Sequence, residues 1–203
     1  MHGANRLGGN SLAEILIFGK RAGHHAAERS ISLDYQIRSR DVVRKAHANI
    51  DAYIKHGDHV ARPLQRELRN IMWEYCGVVR TADKLEEGLR KIENLKESVK
   101  HLDVRPDSEG YEDLMLAFDL EASIMSAEAT VLGAQERKES RGSHQRSDYP
   151  SLQKNQEVNY CINLLENGSL KISSQPLKNF SEDLRTVITN TKDIQDFSGM
   201  LLE

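Results

Sequence analysis

The sequence predicts a mainly α-helical protein built on an antiparallel three-helix bundle. Between residues 31 and 137, apolar residues return every three or four positions in long runs, the spacing of one buried helix face. Short breaks marked by glycine or proline separate these runs, and helices joined that way pack most simply as antiparallel neighbours. Beyond residue 155 the apolar period drops to two, so the bundle gives way to strands.

The first helix is expected over residues 11–29. Gly19, Ala22, Gly23 and Ala26 recur along it at helical spacing, a thin stripe that another element could approach closely. A second helix carries Ile31, Tyr35, Val42, Ala46, Ile50, Tyr53 and Ile54, and Gly57-Asp58 interrupts it. Pro63 suits the first turn of a third helix, where no N–H partner is needed, and Leu64, Leu68, Ile71, Met72 and Tyr75 follow. Gly77 breaks the chain before Val78-Val79-Arg80. Thr81 is a good N-cap for the fourth helix, and Asp83 lies at its positive end. Leu85, Leu89, Ile92, Leu95, Val99 and Leu102 give that helix a single apolar stripe.

Pro106-Asp107-Ser108 makes a turn into a fifth helix expected over residues 109–137. Its inward face is read as Leu114, Ala117, Phe118, Leu120, Ile124, Ala127, Val131 and Leu132. Three such long helices joined by short loops resemble a spectrin repeat in plan. Residues 140–155 are polar and read as a loop. Val158, Tyr160, Ile162 and Leu164 then alternate, Asn167-Gly168 supplies a type I′ turn, and Leu170 and Ile172 alternate again: a β-hairpin. Ser181 with Glu182-Asp183 opens a last helix through Leu184, Val187 and Ile188.

Composition narrows the classes. With 203 residues the chain fits one domain, with or without an appendage. A net charge of −3 leaves no electrostatic footprint for nucleic acid. No apolar run reaches the roughly 18 residues of a membrane span. The apolar core Ile15-Leu16-Ile17-Phe18 is too short for a secretory signal. Cys76 and Cys161 fit no metal spacing and read as buried thiols in a reducing compartment. The expectation is a soluble, intracellular protein without a metal site.

Chemistry concentrates at the beginning. His2-Gly3-Ala4-Asn5-Arg6-Leu7-Gly8-Gly9-Asn10-Ser11-Leu12 brings an arginine, glycines and a polar pair to the mouth of an apolar helix. Glycines let backbone approach a ligand, and a helix start carries about half a positive charge. Arg6 adds a charged fork suited to a carboxylate. On the residues alone, two readings stay open: a contact to an anion or reduced flavin, or a glycine turn with a surface arginine.

Residues 3–12 resemble, almost letter for letter, a segment of the flavoprotein subunits of succinate dehydrogenase and fumarate reductase. The likeness continues through Glu14 and Phe18-Gly19-Lys20-Arg21-Ala22-Gly23. Gly77-Val78-Val79-Arg80-Thr81 resembles another family motif, and Lys138-Glu139-Ser140-Arg141-Gly142-Ser143-His144-Gln145-Arg146 a further one, in the family's order. The resemblance covers residues 2–175. In the family the first segment follows a long FAD-binding part, so the chain is expected to be the C-terminal piece of a larger flavoenzyme.

The resemblance implies a division into residues 1–30, a remnant of the FAD-binding domain; 31–140, the bundle; and 141–203, a loop, hairpin and tail. It implies that Arg6 holds a carboxylate of succinate or fumarate, while Asn10, Ser11 and Leu12 meet the isoalloxazine of FAD. No catalytic residue is expected here, because the family's proton-delivering arginine belongs to a capping domain. The fragment alone is therefore expected to be inactive and to hold no FAD. Implied partners are the chain's own N-terminal FAD and capping domains, an iron–sulfur subunit and a dicarboxylate substrate. The implied location is cytoplasmic, peripheral to the inner or energy-transducing membrane through partner subunits.

L-Aspartate oxidases share much of the segment, but Gly8-Gly9 looks more like the succinate/fumarate branch. Ile162-Asn163-Leu164 departs from the Lys-His-Thr that family members often carry in the first hairpin strand. The alternative of another class is a stand-alone helical interaction module derived from the family. Arg141, His144, Arg146 and Asp148 read as a polar docking loop, its arginines fixed by carboxylates and backbone carbonyls, rather than as a general-base site. His24, His25, His47, His56, His59 and His101 follow no ligand spacing and are expected on a solvated surface. Trp73 and Tyr75 are expected in the bundle core or at its rim. No single face can hide Ile15, Leu16, Ile17 and Phe18 together, so self-association through the first helix is expected.

Overall fold

Leucine, isoleucine and alanine at three- and four-residue spacing make the core. In the computed structural model, which describes residues 9–34, 39–105, 111–177 and 182, three helices bury their apolar stripes against one another. They are α3 (Ala61–Tyr75), α4 (Ala82–Val99) and α5 (Glu112–Glu136). α3 contributes Ala61, Leu64, Leu68 and Ile71; α4 contributes Leu85, Ile92 and Leu95; α5 contributes Ala117, Leu120, Ile124, Ala127, Val131 and Ala134. Gly88 lets α4 come close to α3, for a Cβ there would lie 2.8 Å from Cβ of Tyr75. Thr81 caps α4 as expected, its hydroxyl accepting from the Lys84 N–H at 3.3 Å.

α1 (Asn10–Ile31) and α2 (Arg40–Tyr53) precede this cluster, and neither buries a residue. α2 reaches the core at its end, where the Tyr53 and Phe118 rings lie 4.4 Å apart. The connector to α3 runs beside the segment after α4. Lys55 pairs with Val104 and His59 with Leu102, and the N–H groups of Asp58 and His59 both donate to the His101 carbonyl. Gly57 sits directly against that carbonyl, which leaves no space for a side chain.

Four short or medium strands complete the fold. β1 (Val79–Arg80) pairs in parallel with β2 (Gln145–Arg146), and β3 (Val158–Leu164) pairs antiparallel with β4 (Leu170–Pro176). The hairpin leans on α5, where a Cβ at Gly133 would stand 3.6 Å from Cδ1 of Ile162.

Several expectations need correction. The stretch read as a loop holds β2 and a 3₁₀ turn, Lys154–Gln156. The hairpin turn is not type I′: Gly168 alone takes a positive φ, 81°, and Asn167 does not. Leu165 and Gly168 close the turn, and the Asn167 side chain accepts from the Ser169 N–H at 3.1 Å. That contact favours a type I turn ending in a glycine bulge. Phe118 is 40 % exposed and covers Tyr53 instead of entering the core. Trp73 is 78 % exposed, so it is neither core nor rim. Cys76 is buried, but Cys161 is only half-buried. α1 begins one residue earlier than expected and ends at Ile31. Arg6, the turn at Pro106 and all of the expected last helix except Glu182 lie outside the described residues.

Candidate functional site

Asn10, Ser11 and Leu12 form the first turn of α1, as the glycine-to-polar-to-apolar order suggested. Gly9 is the N-cap, and no side chain caps the turn. Its carbonyl accepts from the N–H groups of Leu12 at 3.1 Å and Ala13 at 3.3 Å. No acidic residue stands in this turn, so the helix's positive end is not neutralised by its own sequence. Among the described residues, a Cβ at Gly9 would touch nothing within 4 Å. Leu12 is 69 % exposed, and Ile15, Leu16, Ile17 and Phe18 are exposed with it. Among the described residues, this helix start is open and flanked by apolar side chains.

A second polar constellation lies at the far end of α5. Arg146 is fully buried, its Nη1 donating to the Ala134 carbonyl at 2.8 Å and its Nε and Nη2 to Asp148 at 2.8 and 2.7 Å. Asp148 also accepts from the Ala82 N–H at 2.9 Å, which fastens this loop to the start of α4. The Arg146 pair, opposed by partial burial and aided by Ala82, holds the Asp148 carboxyl at about 2. Glu139 has no exposed surface. Burial would push its carboxyl up, but donors from Arg141, the Gln153 N–H and Arg137 outweigh that and hold it at about 2.

His144, just before β2, links Arg80 on β1 to the end of α5. Arg80 Nη1 lies 2.9 Å from Nδ1, and the Arg137 carbonyl lies 3.0 Å from Nε2. A guanidinium only donates and a carbonyl only accepts, which assigns the neutral tautomer with its proton on Nε2. Burial lowers the ring's pKa; the Arg137 carbonyl opposes this, and the charges of Arg80, Arg146 and Arg137 reinforce it. The arginines are thus fixed by carboxylates and carbonyls, as expected. Arg80 and Glu139 stand inside the sequence motifs without a role of their own and Arg137 is not among the expected site residues, although Arg137-Lys138-Glu139-Ser140-Arg141 alternates sign at a spacing that invites pairing. Among the described residues, no cluster of histidine, cysteine and carboxylate side chains could hold a metal ion.

Known proteins resemble most of the chain. Residues 65–190 match the family model described as fumarate reductase flavoprotein C-term. The chain is 33 % identical over 189 residues to a fumarate reductase flavoprotein subunit of Haemophilus influenzae, covering 88 % of this chain and 31 % of that protein. It is 32 % identical over 190 residues to a succinate dehydrogenase flavoprotein subunit of Rickettsia conorii, covering 87 % of this chain and 30 % of that one. Among solved structures, Mycobacterium smegmatis Sdh1 in complex with UQ1 superimposes with a TM-score of 0.83 at 27 % identity, over 96 % of this chain and 34 % of its own. An E. coli quinol fumarate reductase chain superimposes with a TM-score of 0.80 at 27 % identity, over 89 % of this chain and 32 % of its own. The chain spans about a third of the length of the curated relatives it matches.

Proposed function

Because this chain belongs to the succinate dehydrogenase/fumarate reductase flavoprotein family, within its C-terminal region, we propose that it works as one part of an FAD-dependent oxidoreductase interconverting succinate and fumarate. The match over residues 65–190 carries this reading. Among the described residues, the α1 start has no side-chain cap, no acid in its first turn and space beside Gly9, which supports a contact to one edge of a flavin. A flavin held beside Asn10, Ser11 and Leu12 would supply hydride transfer to or from the central carbons of the dicarboxylate.

The chain's own residues then have distinct tasks. Arg6, outside the described residues, holds a substrate carboxylate as a charged fork. Backbone groups at Asn10, Ser11 and Leu12 favour electron density on the adjoining ring edge through the helix dipole. Residues 1–30 act with the FAD domain, 31–140 form the supporting bundle, and 141–203 carry the docking loop, hairpin and tail. In this reading the longer parent also supplies the capping domain, and electrons leave through an iron–sulfur subunit toward quinone at the membrane. Membrane attachment runs through those partners on the cytoplasmic side; no described helix is long and apolar enough to cross a membrane. The 203-residue chain alone neither turns over substrate nor retains FAD.

Expression of the longest natural reading frame that contains the chain tests this. Stoichiometric flavin and succinate-dependent dye reduction are the expected results; a full-length product with neither overturns the reading. A second reading, a helical interaction module, is favoured by α1, which buries none of its residues. It gains if the native polypeptide proves to be this chain alone.

A further inference from the structure

A cleft of about 390 Å³ opens where the end of α5 meets β1 and β3. Arg80, Arg137, His144, Asn159 and Tyr160 line it, and no carboxylate does. Four arginines meet in this region, at 80, 137, 141 and 146; Glu139 and Asp148 form ion pairs with them, and Glu157 and Glu136 act from farther off on Arg141 and Tyr160. Arg137 and Arg141 share Glu139, and Arg146 takes Asp148. Among the described residues, Arg80 has no acidic partner, and its side chain is only partly buried.

Arg80 is nevertheless held in place. Its Nε donates to the carbonyls of Gly77 at 3.0 Å and Cys76 at 3.3 Å, and its Nη1 to His144 at 2.9 Å. Those bonds leave Nη2 for a ligand and fix the side chain beforehand, which removes much of the ordering cost of binding. His144 is neutral in this arrangement, so it orients Arg80 without adding or cancelling charge. Arg137 spends both terminal nitrogens on Glu139 and on the carbonyls of Gln156 and Val158, and its guanidinium stacks 4.7 Å over Tyr160. It contributes field without competing for the ligand.

We propose that this cleft binds a small oxyanion, of carboxylate or phosphate type, against the free edge of the Arg80 guanidinium, with the Asn159 amide at the rim. The volume suits a small molecule, being near the lower end of ordinary ligand pockets. Arg80 stands on β1, away in sequence from the α1 start that the flavin reading uses, so the two stand or fall separately.

The test titrates inorganic phosphate, and separately acetate, into the whole 203-residue chain at constant ionic strength, followed by amide and arginine Nε–H NMR shifts. Saturable shifts centred on Arg80, Asn159 and Tyr160 are expected with one anion or both, the tighter one defining the type. Asn159→Asp, on an exposed strand position, should weaken binding on the order of tenfold or more by placing a carboxylate at the rim, with the melting temperature kept. Arg80→Gln should abolish binding; if it fails to fold, Asn159→Asp decides. Shifts that do not saturate, that chloride reproduces, or that Asn159→Asp leaves unchanged overturn the proposal.

Discussion

Arg146 and Asp148 meet as a two-pronged pair, with Nε 2.8 Å from Oδ1 and Nη2 2.7 Å from Oδ2. The same arginine holds the Ala134 carbonyl near the end of α5, and the same aspartate holds the Ala82 N–H at the start of α4. One ion pair therefore ties together two helix ends that share no local sequence. Asp148→Asn leaves Arg146, 2 % exposed, without its counter-charge. The expected cost is about 2–4 kcal/mol of stability, because a buried unpaired charge is expensive. Urea denaturation of both proteins measures it, and a difference under about 0.5 kcal/mol would contradict the pair's structural role.

Acidification should weaken the same region in two stages. The ring of His144 is held below its ordinary 6.5, chiefly by burial, with the surrounding arginines adding to it. The folded state thus binds fewer protons than the unfolded one, and stability present above about 6.5 falls as pH drops below that value. Glu139 and Asp148, both held at about 2, contribute stability above their unfolded values that is lost as pH falls from 4.5 toward 2. Melting temperatures between pH 8 and 3 should show both declines. His144→Asn, whose carbonyl oxygen can accept from Arg80 near the position of Nδ1 and which does not titrate, should erase the upper one; an unchanged upper decline assigns it to another group.

Gly88→Ala tests the close approach of α3 and α4. In an isolated helix this change would help by about 0.5–1 kcal/mol. Here the new Cβ meets Cβ of Tyr75 at 2.8 Å, and the helices must move apart. Destabilisation of about 1–3 kcal/mol is expected from overpacking. A variant as stable as the parent, by thermal melting, would show that the contact is soft.

Much of this architecture was legible in the sequence, for a local reason. The stripe from Leu85 to Leu95 and the Thr81 cap are set by neighbours within a few residues and read correctly, whereas Leu102 lies past the end of α4, in the segment that pairs with His59. The alternation in β3 and β4 was equally plain, whereas the turn type depended on where the Asn167 side chain found its partner. β1 and β2 carried no period, being two residues each and brought together only by the fold. Burial of Glu139 runs against the usual rule for acids and makes sense only once Arg137 and Arg141 converge on it. At the α1 start, the order Gly-Asn-Ser-Leu announced the helix mouth.

α1 leads to a prediction about solution behaviour. Leu12, Ile15, Leu16, Ile17 and Phe18 are 69, 66, 73, 52 and 48 % exposed. Such a patch, on the order of a few hundred Å², marks an interaction surface or an aggregation risk. The 203-residue chain should show a mass above that of a monomer by light scattering, and Ile15→Glu with Phe18→Glu should reduce it. A monomer whose α1 amides exchange as slowly as those of α4 would rule out an unsatisfied first helix.

Arg6→Gln in a flavin-loaded full-length protein tests the substrate contact. Arg6 precedes Asn10, the first residue of the helix mouth, by four positions in sequence. Glutamine keeps hydrogen-bonding capacity but loses the charge and the fork. Turnover of succinate should fall on the order of a hundredfold or more, the scale for losing one charge-assisted contact in a dry site. Flavin content should hold, because the backbone groups at Asn10, Ser11 and Leu12 do not depend on the arginine's charge. Kinetics within a few-fold of the parent would exclude the clamp, and loss of flavin would place Arg6 in cofactor binding instead.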